Sequence, residues 1–302
     1  MMVKRIIILF LLIVAAGSAY AQTGTDKSGF VLWKISGKGL YKPSYLLGTM
    51  HLKSGEYFNN IPGAKTALQS CEQVVGELSM ADMIGMQIKM RQAMLMPSDT
   101  TYKMLYSDDD YRFVSSKISS FASGYGMDNL SKFKPAAIQL TLVAAAYMKY
   151  FPGVDPANTM DKYIQDEAVK EQKTVLGLET VDDQIRVLFS SGSLQTQADA
   201  LLCFLKNTDQ LTALIPEQIK YYNQGNLNKL YQQFKDDNIC QLNPSETAAI
   251  NKDRNIAWMK KLPGIMKNRS SFIAVGALHL AGEDGLLNLL EKAGYRVEPV
   301  GF

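Results

Sequence analysis

Ser271-Phe272-Ile273-Ala274-Val275-Gly276-Ala277-Leu278-His279-Leu280 is the stretch on which the reading of this chain turns. A short apolar run closes on a glycine and then presents an imidazole, the pattern of a buried strand that ends at a site. A second stretch, Ser44-Tyr45-Leu46-Leu47-Gly48-Thr49-Met50-His51-Leu52, repeats the frame with one apolar residue fewer. His51 and His279 are the only two histidines in 302 residues. Imidazole titrates near neutrality and is the commonest nitrogen ligand for transition metals, so two in matched frames point to chemistry. Either one alone fits a hydrogen-bonded structural role equally well.

Two more runs end alike: Val74-Val75-Gly76 leads to Glu77, and Val175-Leu176-Gly177-Leu178 leads to Glu179. In open α/β sheets the site forms outside the carboxyl ends of the strands, and glycine there lets backbone approach a ligand closely. His51, Glu77, Glu179 and His279 are therefore expected on one rim, with Gly48 and Gly276 behind the histidines. Neutral imidazoles and carboxylates suit zinc, manganese, iron or cobalt, and no thiolate belongs to the frame. A metal that lowers the pKa of bound water makes a nucleophile, so the chemistry implied is hydrolysis. A carboxylate after Val-Val-Gly also fits a plain helix cap.

Outward from these ends, strand-like segments cover 29–36, 44–48, 73–79, 173–179, 271–276 and 295–300. The first two flank the Gly/Pro turn Gly37 to Pro43 and read as a β-hairpin. Helical pattern fills 81–170 and 181–269, which predicts an α/β fold: a central sheet with two long helical insertions. Pro244 and Glu246 after Asn243 start the helix that carries Arg254 and Trp258, and Gly264 falls near its end. No linker or low-complexity tract interrupts 22–302, so one domain is expected there.

Lys4 and Arg5, the apolar run Ile6 to Ala16 and Ala19-Tyr20-Ala21 make 1–21 a signal peptide. The mature protein is then soluble, periplasmic or secreted, with no stable membrane insertion. Removing those two cations lowers the formal charge of +3 by two, which gives no reason to expect nucleic acid as partner. With 47% hydrophobic and 20% charged residues the chain is globular and not disordered. Of three cysteines, Cys203 and Cys240 are the expected pair, because Cys71 precedes a strand and suits a buried apolar position.

Met80, Met83, Met86, Met90 and Met94 recur at helical spacing. Such a stripe is usually core, and a substrate groove is the alternative. Asp108-Asp109-Asp110 reads as a solvated helix start.

The two Gly-x-x-His motifs, Gly48-Thr49-Met50-His51 and Gly276-Ala277-Leu278-His279, with Glu77 after the first, resemble the TraB/GumN/PrgY family, which includes the TIKI metalloproteases of animals. Gly177-Leu178-Glu179-Thr180 with Gln184, Asp161 on the preceding helix and Arg254-Asn255 share that resemblance, which spans nearly the whole mature chain. It implies a core like those of erythromycin esterase-like and ChaN-like proteins and, through the TIKI branch, a divalent-metal-dependent protease. Arg254 would then stabilise an oxyanion, where the resemblance-free alternative is a surface arginine. Asp161 is either the partner of a histidine N–H or an exposed first-turn acid.

The expectation is an exported metal-dependent hydrolase of peptide or small-molecule substrates. His51, Glu77 and His279 hold Mn, Co or Zn, and Glu179 is ligand or general base. Its rivals are a metal-free esterase-like hydrolase with a histidine base, and a non-catalytic haem- or metal-binding protein.

Overall fold

The computed structural model describes residues 29–301 apart from 122–125, 153–154, 156, 237–238 and 241–243. The signal-peptide segment 1–21 and Asn243 lie outside the described residues. Six strands form one sheet: β1 (Leu32–Ser36), β2 (Ser44–Thr49), β3 (Gln73–Gly76), β4 (Thr174–Gly177), β5 (Ser271–Gly276) and β6 (Arg296–Pro299), in the order β4-β3-β5-β2-β1-β6. β4, β3, β5 and β2 run parallel. β1 turns back antiparallel to β2, as the hairpin pattern predicts, with β6 antiparallel to its other side. Gly37 and Gly39 take φ of 81° and 76° in the connecting turn, conformations open to glycine without strain. β5 is buried at every residue, which explains its unbroken apolar run: both faces of a central parallel strand are covered.

Register turns this order into a site. Thr49 pairs with Gly276, Gly76 with Ala274, and Gly76 with Gly177, so four adjacent strands finish within a residue or two of one level. The one-residue difference between the histidine frames is the register offset itself, since Gly48 lies opposite Val275.

β3 stops at Gly76 and not at Ser79, because a side chain takes over the backbone bonding there. Gln165 accepts from the Met80 N–H at 2.8 Å and donates to the Leu78 carbonyl at 2.9 Å. Both insertions are helical over the expected spans, as a series of short helices from Met83–Ala93 to Met160–Lys170 and from Val181–Phe189 to Leu262–Asn268. Helix Met160–Lys170 returns to pack on β3, β4 and β5, with Met160, Ile164 and Ala168 buried at helical spacing in the sheet core. A second core joins Tyr102, Tyr106, Ile138 and Leu142 of the first insertion to Leu201 and Phe204 of the second. Tyr106 donates to the Ala198 carbonyl at 2.7 Å across that junction.

The helix expected to run from Pro244 through Arg254 is broken. Pro244–Ile250, Lys252–Met259 and Leu262–Asn268 are separate, and Gly264 lies inside the third. Asn251 leaves helical geometry (φ −124°, ψ −69°), and its carboxamide donates to the Leu278 carbonyl at 2.9 Å, tying the helix start to the histidine turn. The methionine stripe enters neither core: Met80, Met86, Met90 and Met94 are half-buried, and Ile84 and Ile88 on helix Met83–Ala93 face solvent. Cys203 and Cys240 form a disulfide, and Cys71 is buried. The three aspartates fill the first turn of helix Asp108–Phe121, as their pattern predicts. No helix among the described residues is long and apolar enough to cross a membrane.

Candidate functional site

The strand ends bring His51, Glu77, Glu179 and His279 into one cluster, and glycine makes the closeness possible. A Cβ at Gly276 would stand 3.0 Å from His51 Nε2 and 3.3 Å from Glu77 Oε1; one at Gly48 would press on Ala277 at 3.1 Å. Glu77 is central and 9% exposed. Its Oε1 accepts the Gly276 N–H at 2.8 Å and faces His51 Nε2 at 3.8 Å and His279 Nε2 at 3.9 Å.

Each imidazole is aimed from behind. His51 Nδ1 meets Asp161 Oδ2 at 2.7 Å, while the other oxygen of Asp161 accepts from Thr49 Oγ1 at 2.7 Å. His279 Nδ1 meets Asn255 Oδ1 at 2.8 Å. The Asn255 amide donates to the carbonyls of His279 and Asp284 at 3.1 and 2.7 Å, which leaves its oxygen for the ring. Both rings therefore carry hydrogen on Nδ1 and turn Nε2 to Glu77, the arrangement that commonly orients metal-bound histidines.

Arg254 closes the cluster. Its Nη2 donates to Glu77 Oε2 at 2.5 Å and to Glu179 Oε1 at 2.6 Å, and its Nε to Glu179 Oε2 at 3.0 Å. Nη1 donates to the Ile250 carbonyl at 3.3 Å and to His279 Nε2 at 3.0 Å. All five guanidinium hydrogens are thus used, and none is left for an oxyanion. Glu179 also accepts the Trp258 indole N–H at 3.3 Å, so both its oxygens hold the arginine helix and neither faces a histidine. Sequence reasoning missed Thr49, Gln165, Asn251 and Trp258. Gln165 had a signal, since it stands one turn after Asp161 on the same helix face.

The electrostatics follow. The Asp161 carboxylate raises the His51 pKa to about 10, against the opposing effect of burial. The His51 side chain is 57% exposed, so water screens this pair. Burial drives His279 down to about 3, only partly offset by Glu77. Burial pushes the Glu77 carboxyl up, but His51, His279 and Arg254 outweigh it and hold the group near 2. Near neutral pH the cluster therefore holds an ionised Glu77, a neutral His279 and a His51 biased to imidazolium.

Two imidazole nitrogens and a carboxylate oxygen are the right donors for a divalent transition metal. With Arg254 in place, though, the His279 Nε2 lone pair is occupied. Among the described residues no group of three or more His, Cys, Asp or Glu side chains is gathered closely enough to hold a metal. The donor chemistry fits, and the guanidinium must yield for the set to close on an ion.

No solved structure matches this chain. The chain is 22% identical to the metalloprotease TIKI2 of Danio rerio, over 90% of its own length and 61% of that protein's. It spans about three fifths of that curated relative. The TraB/PrgY/gumN family description matches residues 31–299, nearly all that the structure describes, and the chain belongs to that family.

Proposed function

We propose that the chain is an exported hydrolase of peptide or related acyl bonds, folded as one domain over 22–302, with Mn, Co or Zn held by His51, Glu77 and His279. The observation that carries this is the convergence of His51 Nε2 and His279 Nε2 on Glu77 Oε1, with both Nδ1 atoms already satisfied. The likeness to a metalloprotease supports the reaction class. A bound divalent ion supplies a Lewis acid and activates water. The chain supplies the rest: Asp161 and Asn255 fix the ring tautomers, and Glu77, kept ionised, is placed to take a proton. Arg254 and Glu179 keep Glu77 aimed.

One observation favours a metal-free variant: Arg254 on His279 Nε2 leaves the Asp161–His51 pair as the free acid–base group. That variant accords with an erythromycin esterase-like core. Protein purified without chelator is expected to carry about one transition metal per chain, to lose metal and peptide hydrolysis together on chelation, and to regain both with Mn, Co or Zn. Hydrolysis that survives exhaustive chelation rejects the metal and leaves the Asp161–His51 pair as the acid–base group.

A further inference from the structure

Two cavities open on the charged cluster. The larger, about 550 Å³, is walled by Leu52, Leu78, Met80, Met148, Val187 and Leu188 and ends at His51, Glu77, Asp161 and Arg254. The smaller, about 400 Å³, passes Tyr147, Phe234 and Ile250 and reaches the same cluster at His51, Arg254 and His279. His51, Leu52 and Arg254 line both, so the two spaces meet at the candidate reactive imidazole.

The charged groups in both cavities are already engaged. Asp161 accepts from Thr49 and faces His51, Glu77 accepts from Gly276 and Arg254, and all five Arg254 hydrogens are used. Holding the end of a peptide takes a spare carboxylate for its ammonium or spare donors for its carboxylate. Among the described side chains lining these cavities no carboxylate is spare, and the one charged donor outside a hydrogen bond is the His51 Nε2–H, 3.8 Å from Glu77 at the point where the cavities meet. The larger wall, by contrast, is apolar and includes two methionines, whose unbranched side chains adapt to varied apolar shapes.

Resting on the hydrolase reading above, we propose that the substrate is the interior of a polypeptide, lying across His51 with chain in both cavities, and that the larger cavity takes an aliphatic side chain beside the bond to be cut. Met80, Met148 and Leu188 set that preference. The step is plain hydrolysis: water adds across the amide, its hydroxyl going to the carbonyl carbon and its hydrogen to the leaving nitrogen.

The test uses fluorescein-labelled decapeptides, acetylated and amidated, differing at one residue (Leu, Gly, Asp or Lys). Binding to the full chain is read by anisotropy in chelator, and cleavage is read separately after metal is restored. The leucine peptide is expected to bind at least about tenfold more tightly than the glycine peptide. Ala144 also lines the larger cavity, so Ala144→Phe narrows it, and Leu188→Asp puts charge in it. Each should erase the leucine advantage while the glycine peptide binds as before, with unchanged melting as the check on folding. Equal binding of all four peptides, binding only when termini are free, or tighter binding of a fatty-acyl amide than of any peptide would overturn the proposal. Leucine-selective binding without cleavage under any metal supports the subsite and rejects the hydrolase reading, so the two fail separately.

Discussion

His51 and His279 share the frame Gly-x-x-His and end neighbouring parallel strands, yet their environments are opposite. His51 is more than half exposed and backed by a carboxylate; the His279 side chain is 7% exposed, backed by an amide, with its ring 4.5 Å from Trp258. The first is held toward imidazolium and the second toward neutral imidazole. Identical side chains thus become one candidate acid and one candidate neutral donor, set by what stands behind each ring. Glu77 joins them, and Arg254 touches only the buried member.

The largest expected effect comes from breaking the joint. Glu77→Gln keeps the shape and removes the charge shared by both histidines. Turnover on a blocked peptide is expected to fall by about 10²–10⁴-fold, the range for a lost general acid or base. Circular dichroism should show an intact fold. An active Glu77→Gln enzyme would separate the histidines from any common chemistry.

Arg254→Met attacks the asymmetry. It leaves Glu77 and Glu179 buried without their counter-charge, and stripping one partner from a buried ion pair costs about 3–5 kcal/mol. Denaturant unfolding should show a loss of that size. Arg254→Lys should recover little, because one ammonium cannot meet five acceptors in a planar fork. In Arg254→Met, His279 Nε2 also loses its donor, so metal affinity per folded molecule should rise if the guanidinium competes with the ion for that nitrogen.

The joint was legible in the sequence and the asymmetry was not. Apolar runs ending on Gly48, Gly76, Gly177 and Gly276 mark buried parallel strands whose ends must share an edge, so the rim could be read from spacing. Which atom of Arg254 meets which carboxylate depends on how an insertion folds back, and no local pattern reports that. Asn251 illustrates the obstacle. Its break in the helix is bought by a bond to Leu278, 27 residues further on, which propensity does not register. The shared second core is likewise non-local, joining residues near 102–142 to residues near 198–205. The methionine stripe misled for a simpler reason: helical spacing shows that a face exists, but not that anything covers it.

Proton linkage sharpens the contrast at moderate cost. With only two histidines, the imidazole signals of the chelated protein should titrate as two curves, one above and one below the ordinary value of 6.5. His51, raised in the folded state, contributes stability that is complete below its unfolded pKa and is lost as pH climbs through the folded value near 10. His279, lowered, works the other way: the unfolded chain binds the extra proton, so stability falls as pH drops from 6.5 toward 3. Two coincident titrations near 6.5 would remove the distinction between the rings.

The smallest expected effect is the most selective. Asp161→Asn gives His51 the kind of partner that His279 has, an amide oxygen, while the second position of the group can still face Thr49 Oγ1. The melting temperature should fall only slightly, since the His51 half of the pair is 57% exposed and water screens it, although the Asp161 side chain is 12% exposed. The His51 titration should fall toward 6.5 because the carboxylate is the largest cause of its rise, and the His279 curve should stay in place because Asp161 is not among its causes. Turnover should drop about 10–100-fold, the usual range when the group that orients a ligand or base is neutralised. The optimum should also shift: a proton that leaves His51 more easily moves the onset of His51's neutral form to lower pH. If both titration curves move together, the two rings are coupled through Glu77 more strongly than their separate partners distinguish them.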